Sequence, residues 1–264
     1  MKDLFPTGYQ IIFIDKSKKL RCKKNILCSV LFLSLFFSAC KKEDTGDSGD
    51  YKTLGTAAHE LLAAAPYSKL QIEIQYMPGY TPDTVSVNSL VNFLQQHLNK
   101  PTGIEFYMKQ IPSVGKPVLA LPDVVSIEKT YRTIFTGGSV IGVYILITDS
   151  HNTDPDIYAT SYWNTSLCIF GETVKNNSGG PGEVSRPDLL AAVFEHEFGH
   201  LLGLVNQGSS MQSDHIDPAH GPHCINPDCL MYFGIENAVY PGASGAPPPL
   251  DDDCIADLKA NGGK

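Results

Sequence analysis

The stretch from Ser185 to Leu204 constrains this chain more than any other. Leu189-Leu190-Ala191-Ala192-Val193-Phe194 leads into His196-Glu197-Phe198-Gly199-His200, and Leu201, Leu202 and Leu204 follow. Residues four apart on a helix lie on one face, one turn above the other. His196 and His200 therefore present two imidazoles where a single tetrahedral zinc can take both, with Glu197 beside them to handle protons. The helix is well signalled. Ser185 can N-cap it with Asp188 three residues on, and Pro187 falls in the first turn, where its missing N–H costs nothing. A short HExxH pattern also arises on solvated helices. The apolar flanks argue instead for a helix crossing the floor of a cleft.

At 264 residues the chain is long enough to bury one sizeable core. The formal net charge of −8 leaves no basic footprint for nucleic acid. Lys18-Lys19-Leu20-Arg21-Cys22-Lys23-Lys24 is a positive n-region, followed by an apolar run from Ile26 to Phe37 and then Ser38-Ala39-Cys40. That run is shorter than the ~20 residues needed to span a bilayer and fits the core of a signal peptide. Phe37-Ser38-Ala39-Cys40 resembles a bacterial lipobox, in which the cysteine is lipidated after cleavage. Lys41-Lys42-Glu43-Asp44 is similar to the charged tag of surface lipoproteins in Bacteroidetes. These resemblances imply an exported, outer-membrane or cell-surface lipoprotein of a bacterium, anchored through Cys40. Residues 1–17 add unpatterned sequence upstream of a complete signal, so a later start near Leu20 is expected. Residues 41–52 read as a tether. Of seven cysteines, Cys168, Cys224, Cys229 and Cys254 remain beyond the signal, an even count that permits disulfides in an exported protein.

Beyond the tether the pattern alternates between elements. Thr53–Ala65 reads as a helix with Leu54, Ala58, Leu61 and Leu62 on one stripe. Lys69–Met77 alternates as a half-buried strand, and Thr84 or Ser86 opens a helix through Val91, Leu94 and Leu98. Gly103–Ile111 is a strand and Pro122–Tyr131 a short helix. Ser139–Thr148 is a near-continuous apolar run and reads as a central strand. Ser161–Val174 holds one or two more strands. The expected fold class is α+β: a mixed twisted sheet of four to five strands and three helices ending in the histidine helix, spanning 53–204. A small irregular C-terminal part, 205–264, closes with a helix from Leu250 to Leu258, to which Asp251-Asp252-Asp253 give a favourable N-terminus.

A catalytic zinc takes three protein ligands and keeps a further position open. Here the chain resembles the metzincin metallopeptidases, whose signature HExxHxxGxxH is followed by a Met-turn. Gly203 stands where their glycine turns the chain beneath the metal, but Asn206 occupies the place of their third histidine. His223-Cys224-Ile225-Asn226-Pro227-Asp228-Cys229-Leu230-Met231-Tyr232 resembles the segment from third ligand to Met-turn in matrixins, and more fully the HC-x4-C-x-M stretch of archaemetzincins. The resemblance makes His223 the favoured third ligand, with His215, Asp217 and His220 as the alternatives. It makes Met231 the apolar floor beneath the histidines. Phe233 stands where related families carry a tyrosine, so no catalytic tyrosine is assigned. Archaemetzincins complete a second, structural zinc with a later CxxC; this chain has only Cys254. A disulfide, Cys224–Cys229 or Cys229–Cys254, stands as the alternative to that zinc.

The resemblance implies an exported zinc endopeptidase, monomeric, hydrolysing peptide or protein substrates with Glu197 as general base. The strand near Ser161–Gly171 would be the edge onto which an extended substrate adds. Two other readings remain: a zinc-binding surface lipoprotein without turnover, and a gluzincin-type hydrolase with Glu236 as third ligand. The second is disfavoured in sequence because Glu236 lies far beyond His200 without a helical setting.

Overall fold

The computed structural model describes residues 9–13, 50–236 and 246–264. The signal segment, Cys40 and most of the tether lie outside the described residues. The elements run β1 (Tyr9–Phe13), α1 (Ala58–Leu62), β2 (Lys69–Tyr76), α2 (Thr84–His97), β3 (Ile104–Gln110), β4 (Val118–Leu119), α3 (Leu121–Tyr131), β5 (Val140–Thr148), β6 (His151–Asn152), β7 (Ala159–Trp163), β8 (Ser166–Phe170), α4 (Gly171–Asn176), α5 (Arg186–Leu201), a 3-10 turn (Phe233–Glu236) and α6 (Asp252–Ala260). Among these helices none is long and apolar enough to cross a membrane.

Six strands form one sheet in the order β1-β3-β2-β5-β8-β7. All neighbours are parallel except β7, which runs antiparallel to β8 and forms an edge. The two-residue β4 and β6 pair separately. The fold is thus α/β in character, with a mostly parallel sheet; the expected mixed sheet of four to five strands gains β1. Tyr9–Phe13, for which the sequence pattern suggests no element, lies along β3.

Side-chain alternation divides the core between the two faces of the sheet. Leu70, Ile72 and Ile74 of β2, Val143, Ile145 and Ile147 of β5 and Leu167 and Ile169 of β8 share one cluster with α2 and α5. Tyr144, Leu146, Cys168 and Phe170 point the other way, into a second cluster with Val124 and Ile127 of α3. β2 is therefore covered on both faces, not half-buried. Its Glu73 and Gln75 are fully buried. Glu73 accepts from Thr133 N, Ile134 N, Thr133 Oγ1 and Gln75 Nε2 at 2.7–2.8 Å, which satisfies its charge without water.

The same face carries a buried ion cluster. Arg132 donates to Glu128 Oε1 at 2.8 Å, and its Nη2 lies 3.3 Å from Asp50 Oδ1. Its remaining N–H groups reach Ile134 O, Gly142 O, Thr165 Oγ1 and Ser166 Oγ. Asp50 also accepts from Thr136 N, and Lys52 N donates to Asn164 Oδ1. The end of the expected tether is thus part of the fold, because a buried arginine needs its carboxylate.

Two other expectations change at element ends. The first helix is only Ala58–Leu62. Gly55 takes a positive φ of 82° against the backbone of Gln207, and Pro66 follows, so the pattern over Thr53–Ala65 is interrupted at both sides. Val174 belongs to α4, not to a strand. Helix α2 begins at Thr84, as its sequence indicates, and Asp83 caps it by accepting from Val85 N and Ser86 N.

Candidate metal centre

Helix α5 starts as its residues dictate. Ser185 caps it, accepting from Asp188 N, with Pro187 in the first turn. From Leu189 to Leu201 every residue is buried, because α5 lies against α2 on one side and β7 on another. The helix ends at Gly203, whose φ of 74° closes the turn and brings Ser209 N to Gly203 O at 2.8 Å. Ser209 Oγ donates to Leu202 O, so the segment after the helix satisfies its last carbonyls. A Cβ on Gly203 would meet Ser209 N at 2.6 Å and Ala58 Cβ at 2.8 Å. Gly203→Ala is therefore expected to cost about 2 kcal/mol or more from left-handed strain and overpacking. A urea-denaturation curve unchanged from wild type would refute it.

Residues 207–222 are the excursion that carries the chain from the helix to His223. Ile216 and Cys224 form an antiparallel bridge, Asp217 N donates to His223 O, and Cys224 N donates to Met231 O at 2.7 Å. His223 is thereby set facing α5. Met231 is fully buried against the helix, and a Cβ at position 199 would lie 2.2 Å from its Sδ. Only glycine at 199 lets the methionine come that close.

His196, His200, His223 and Glu236 present ligand atoms all within 4.8 Å of one another. His196 Nε2 and His200 Nε2 are 3.1 Å apart. Glu236 Oε2 lies 3.4 Å from His223 Nε2, 3.8 Å from His196 Nε2 and 3.9 Å from His200 Nε2. Each imidazole is oriented through its other nitrogen. His196 Nδ1 donates to Leu230 O and His223 Nδ1 to His220 O, both at 2.7 Å, while His200 Nδ1 meets Gln207 Oε1 at 3.1 Å. Backbone carbonyls only accept, so in His196 and His223 the ring hydrogen sits on Nδ1 and the Nε2 lone pair faces the cluster. His223 Nε2 is buried with no hydrogen-bond partner. Converging lone pairs backed by oriented Nδ1–H groups are the pattern of metal-ligating histidines. Burial and the neighbouring His196 and His223 push His200 down to about 3, so it stays a neutral donor.

Glu197 is fully buried next to this cluster. Ser161 Oγ of β7 donates to Glu197 Oε2 at 2.7 Å and also lies 3.0 Å from Glu197 O. Glu197 Oε1 has no partner and is the free basic atom. Burial, with repulsion from Glu236 added, pushes the Glu197 carboxyl up to about 8. A divalent cation in the histidine cluster would act in the opposite direction. Burial raises the Glu236 carboxyl, but His196 and His223 outweigh it and hold the group below the usual carboxylate range.

The sequence alternatives go elsewhere. Asp217 pairs with His220 Nδ1 at 2.5 Å, and the His220 ring stacks on Phe233 with centroids 3.5 Å apart. His215 joins a second cluster, in which its Nδ1 or Nε2 atom, Cys224 Sγ, an Asp251 oxygen and Cys254 Sγ lie within 4.8 Å of one another. Cys229 Sγ is 3.7 Å from Cys254 Sγ, and Asp257 Oδ2 holds His215 Nε2 at 2.9 Å. All four cysteines, Cys168 included, are free thiols and buried, so neither expected disulfide is formed. Hydrogen bonding to Cys224 and Cys254 lowers the Cys229 thiol below the ordinary cysteine range.

Two residues named in the sequence take other places than their spacing suggests. Glu236, disfavoured for want of a helical setting, ends a 3-10 turn and its carboxylate lies near all three histidines. His215, an alternative third ligand by sequence, stands instead with the cysteines, a grouping that a search for histidine beside cysteine rather than for a CxxC would reveal.

No protein-family model matches this chain, and no curated protein matches it. Among solved structures it is similar to archaemetzincin from Methanopyrus kandleri, at 12% identity over 74% of this chain and 96% of that one, with a TM-score of 0.48. It is also similar to metalloproteinase-II from Bacteroides fragilis, at 15% identity over 75% of this chain and 54% of the other, with a TM-score of 0.43. Likeness at that distance says nothing of chemistry, which rests on the side chains themselves.

Proposed function

We propose that this chain is an exported zinc-dependent endopeptidase whose metal is held by His196, His200 and His223, with Glu197 as general base. The observation that carries this reading is the convergence of three oriented imidazole nitrogens beside a buried carboxylate with one free oxygen. Three neutral nitrogens suit zinc, and the family resemblance of the motif points the same way. When bound, zinc acidifies a water and polarises the scissile carbonyl. Glu197 takes the proton at Oε1 and returns it to the leaving nitrogen, while Ser161 fixes the carboxylate through Oε2. The open edge of β7, which carries Ser161, offers an extended peptide a strand to pair with. Lipidation at Cys40 would hold the domain at a bacterial outer membrane, and a monomer suffices because every site residue comes from one chain.

The second cluster, His215, Cys224, Asp251 and Cys254 with Cys229 beside Cys254, supports a structural metal centre. Zinc–sulfur bonds of about 2.3 Å in a tetrahedron put sulfurs about 3.8 Å apart, close to the 3.7 Å between Cys229 and Cys254. Elemental analysis of the full chain is expected to find one zinc for each cluster. His223→Ala should lose the first and all peptidase activity while keeping the second; Cys254→Ser should lose the second and unfold more readily. A His223→Ala protein that keeps both metals would end the reading.

A second reading has one observation in its favour. Glu236 makes four side chains around the first cluster, and closed four-ligand sites are usually structural. A zinc-binding surface lipoprotein without turnover would keep that carboxylate in place permanently.

A further inference from the structure

Glu236 is the group at this site that the peptidase chemistry does not use. Its side chain is one quarter exposed, and among the described residues its carboxylate has no partners but the three Nε2 atoms, at 3.4–3.9 Å. None of these distances makes a good hydrogen bond, and a single shared proton could serve only one of the three pairs. Four electron-pair donors thus aim at one point. A tetrahedral zinc with bonds of about 2.0–2.1 Å has ligand–ligand edges of about 3.3 Å. The observed edges of 3.1, 3.4, 3.8 and 3.9 Å bracket that value.

The backbone behind Glu236 is held in place. Ile235 and Gly234 are buried, Ile235 N donates to Tyr232 O, and Glu236 O accepts from Tyr158 N at 2.8 Å, just before β7. The turn therefore hangs from the same side of the cleft as the strand that carries Ser161. Among the described residues, rotating the side chain out of the cluster breaks no other hydrogen bond or ion pair, and the side chain is already one quarter exposed.

We propose that Glu236 is a displaceable fourth ligand: at rest its carboxylate closes the histidine cluster, and it must swing out before a substrate carbonyl can reach it. This rests on the metal-site reading above and adds that the resting protein is self-blocked. The geometry favours displacement over permanent closure. A permanently closed site would not need Glu197 buried alongside with an oxygen left free.

The test uses the full chain loaded with cobalt(II), with metal content measured for each sample and imidazole as a neutral probe of the fourth position. A neutral probe is needed because removing a carboxylate would strengthen anion binding by charge alone. Wild type is compared with Glu236→Gln and with Glu236→Asp, which keeps the charge and shortens the reach. Both variants are expected to keep the metal, to shift the visible absorption band of the cobalt, and to bind imidazole at least ten-fold more tightly than wild type. Unchanged spectra and imidazole affinity in both would overturn the proposal, as would a change in Glu236→Gln alone, which would mark a charge effect. Loss of metal from both would also overturn it, since Glu236 would then be an integral ligand. Peptidase assays separate the two readings. Variants that show the spectral shift but cleave nothing would leave Glu236 a displaceable ligand and refute the peptidase instead.

Discussion

Glu197→Gln is expected to lower kcat/KM on a peptide substrate by about two to four powers of ten while leaving the metal content unchanged. The substitution keeps shape and leaves an oxygen to accept from Ser161 Oγ, now at 2.7 Å from Oε2. What it removes is the basic atom, since Oε1 is the buried oxygen without a partner. Because Glu197 is not among the four converging ligand groups, the histidines should hold zinc as before. Parallel measurement of zinc and of turnover distinguishes this from a collapsed site. A variant that cleaves at the wild-type rate would show that proton transfer runs through another group. One that loses zinc would show that Glu197 supports the ligands instead.

Arg132→Met should be the most damaging single change away from the site. It leaves Asp50 and Glu128, both with fully buried side chains, without their cation. Removing one partner of a buried ion cluster typically costs about 3–5 kcal/mol, a large part of the roughly 5–15 kcal/mol that holds a domain together. The loss should appear as a lower urea midpoint with an unchanged slope. Arg132 also donates to Ser166 Oγ of β8 and Gly142 O of β5, so two neighbouring strands lose a shared donor. A cost below ~1 kcal/mol would mean that water reaches the carboxylates and that the cluster behaves like a surface pair.

The contrast between these two residues shows where sequence is informative. The role proposed for Glu197 is legible in a pentapeptide. The burial of Arg132 is invisible, because nothing local distinguishes an arginine inside a sheet face from one in water. Likewise the alternation of Lys69–Met77 reads as one wet face, yet Glu73 and Gln75 lie dry under the loop after α3. Strand pattern reports which residues share a face; it does not report what covers that face.

What the sequence by itself determined is local. The cap at Ser185, the helix through the two histidines, their shared face, the φ > 0 turn at Gly203 and the central strand Val140–Thr148 follow from side-chain chemistry and helical or pleated periodicity. These depend on neighbours within a few residues, so a linear reading holds them. Only the tertiary structure decided the rest of the site. His223, His215 and Glu236 sit on irregular segments, where no period relates sequence distance to position in space. His223 is placed by the Ile216–Cys224 bridge, Glu236 by its carbonyl on Tyr158, and His215 by Asp257 of α6. Each is a contact between segments distant in sequence or free of regular periodicity, and such contacts are set by packing, which the order of residues does not display.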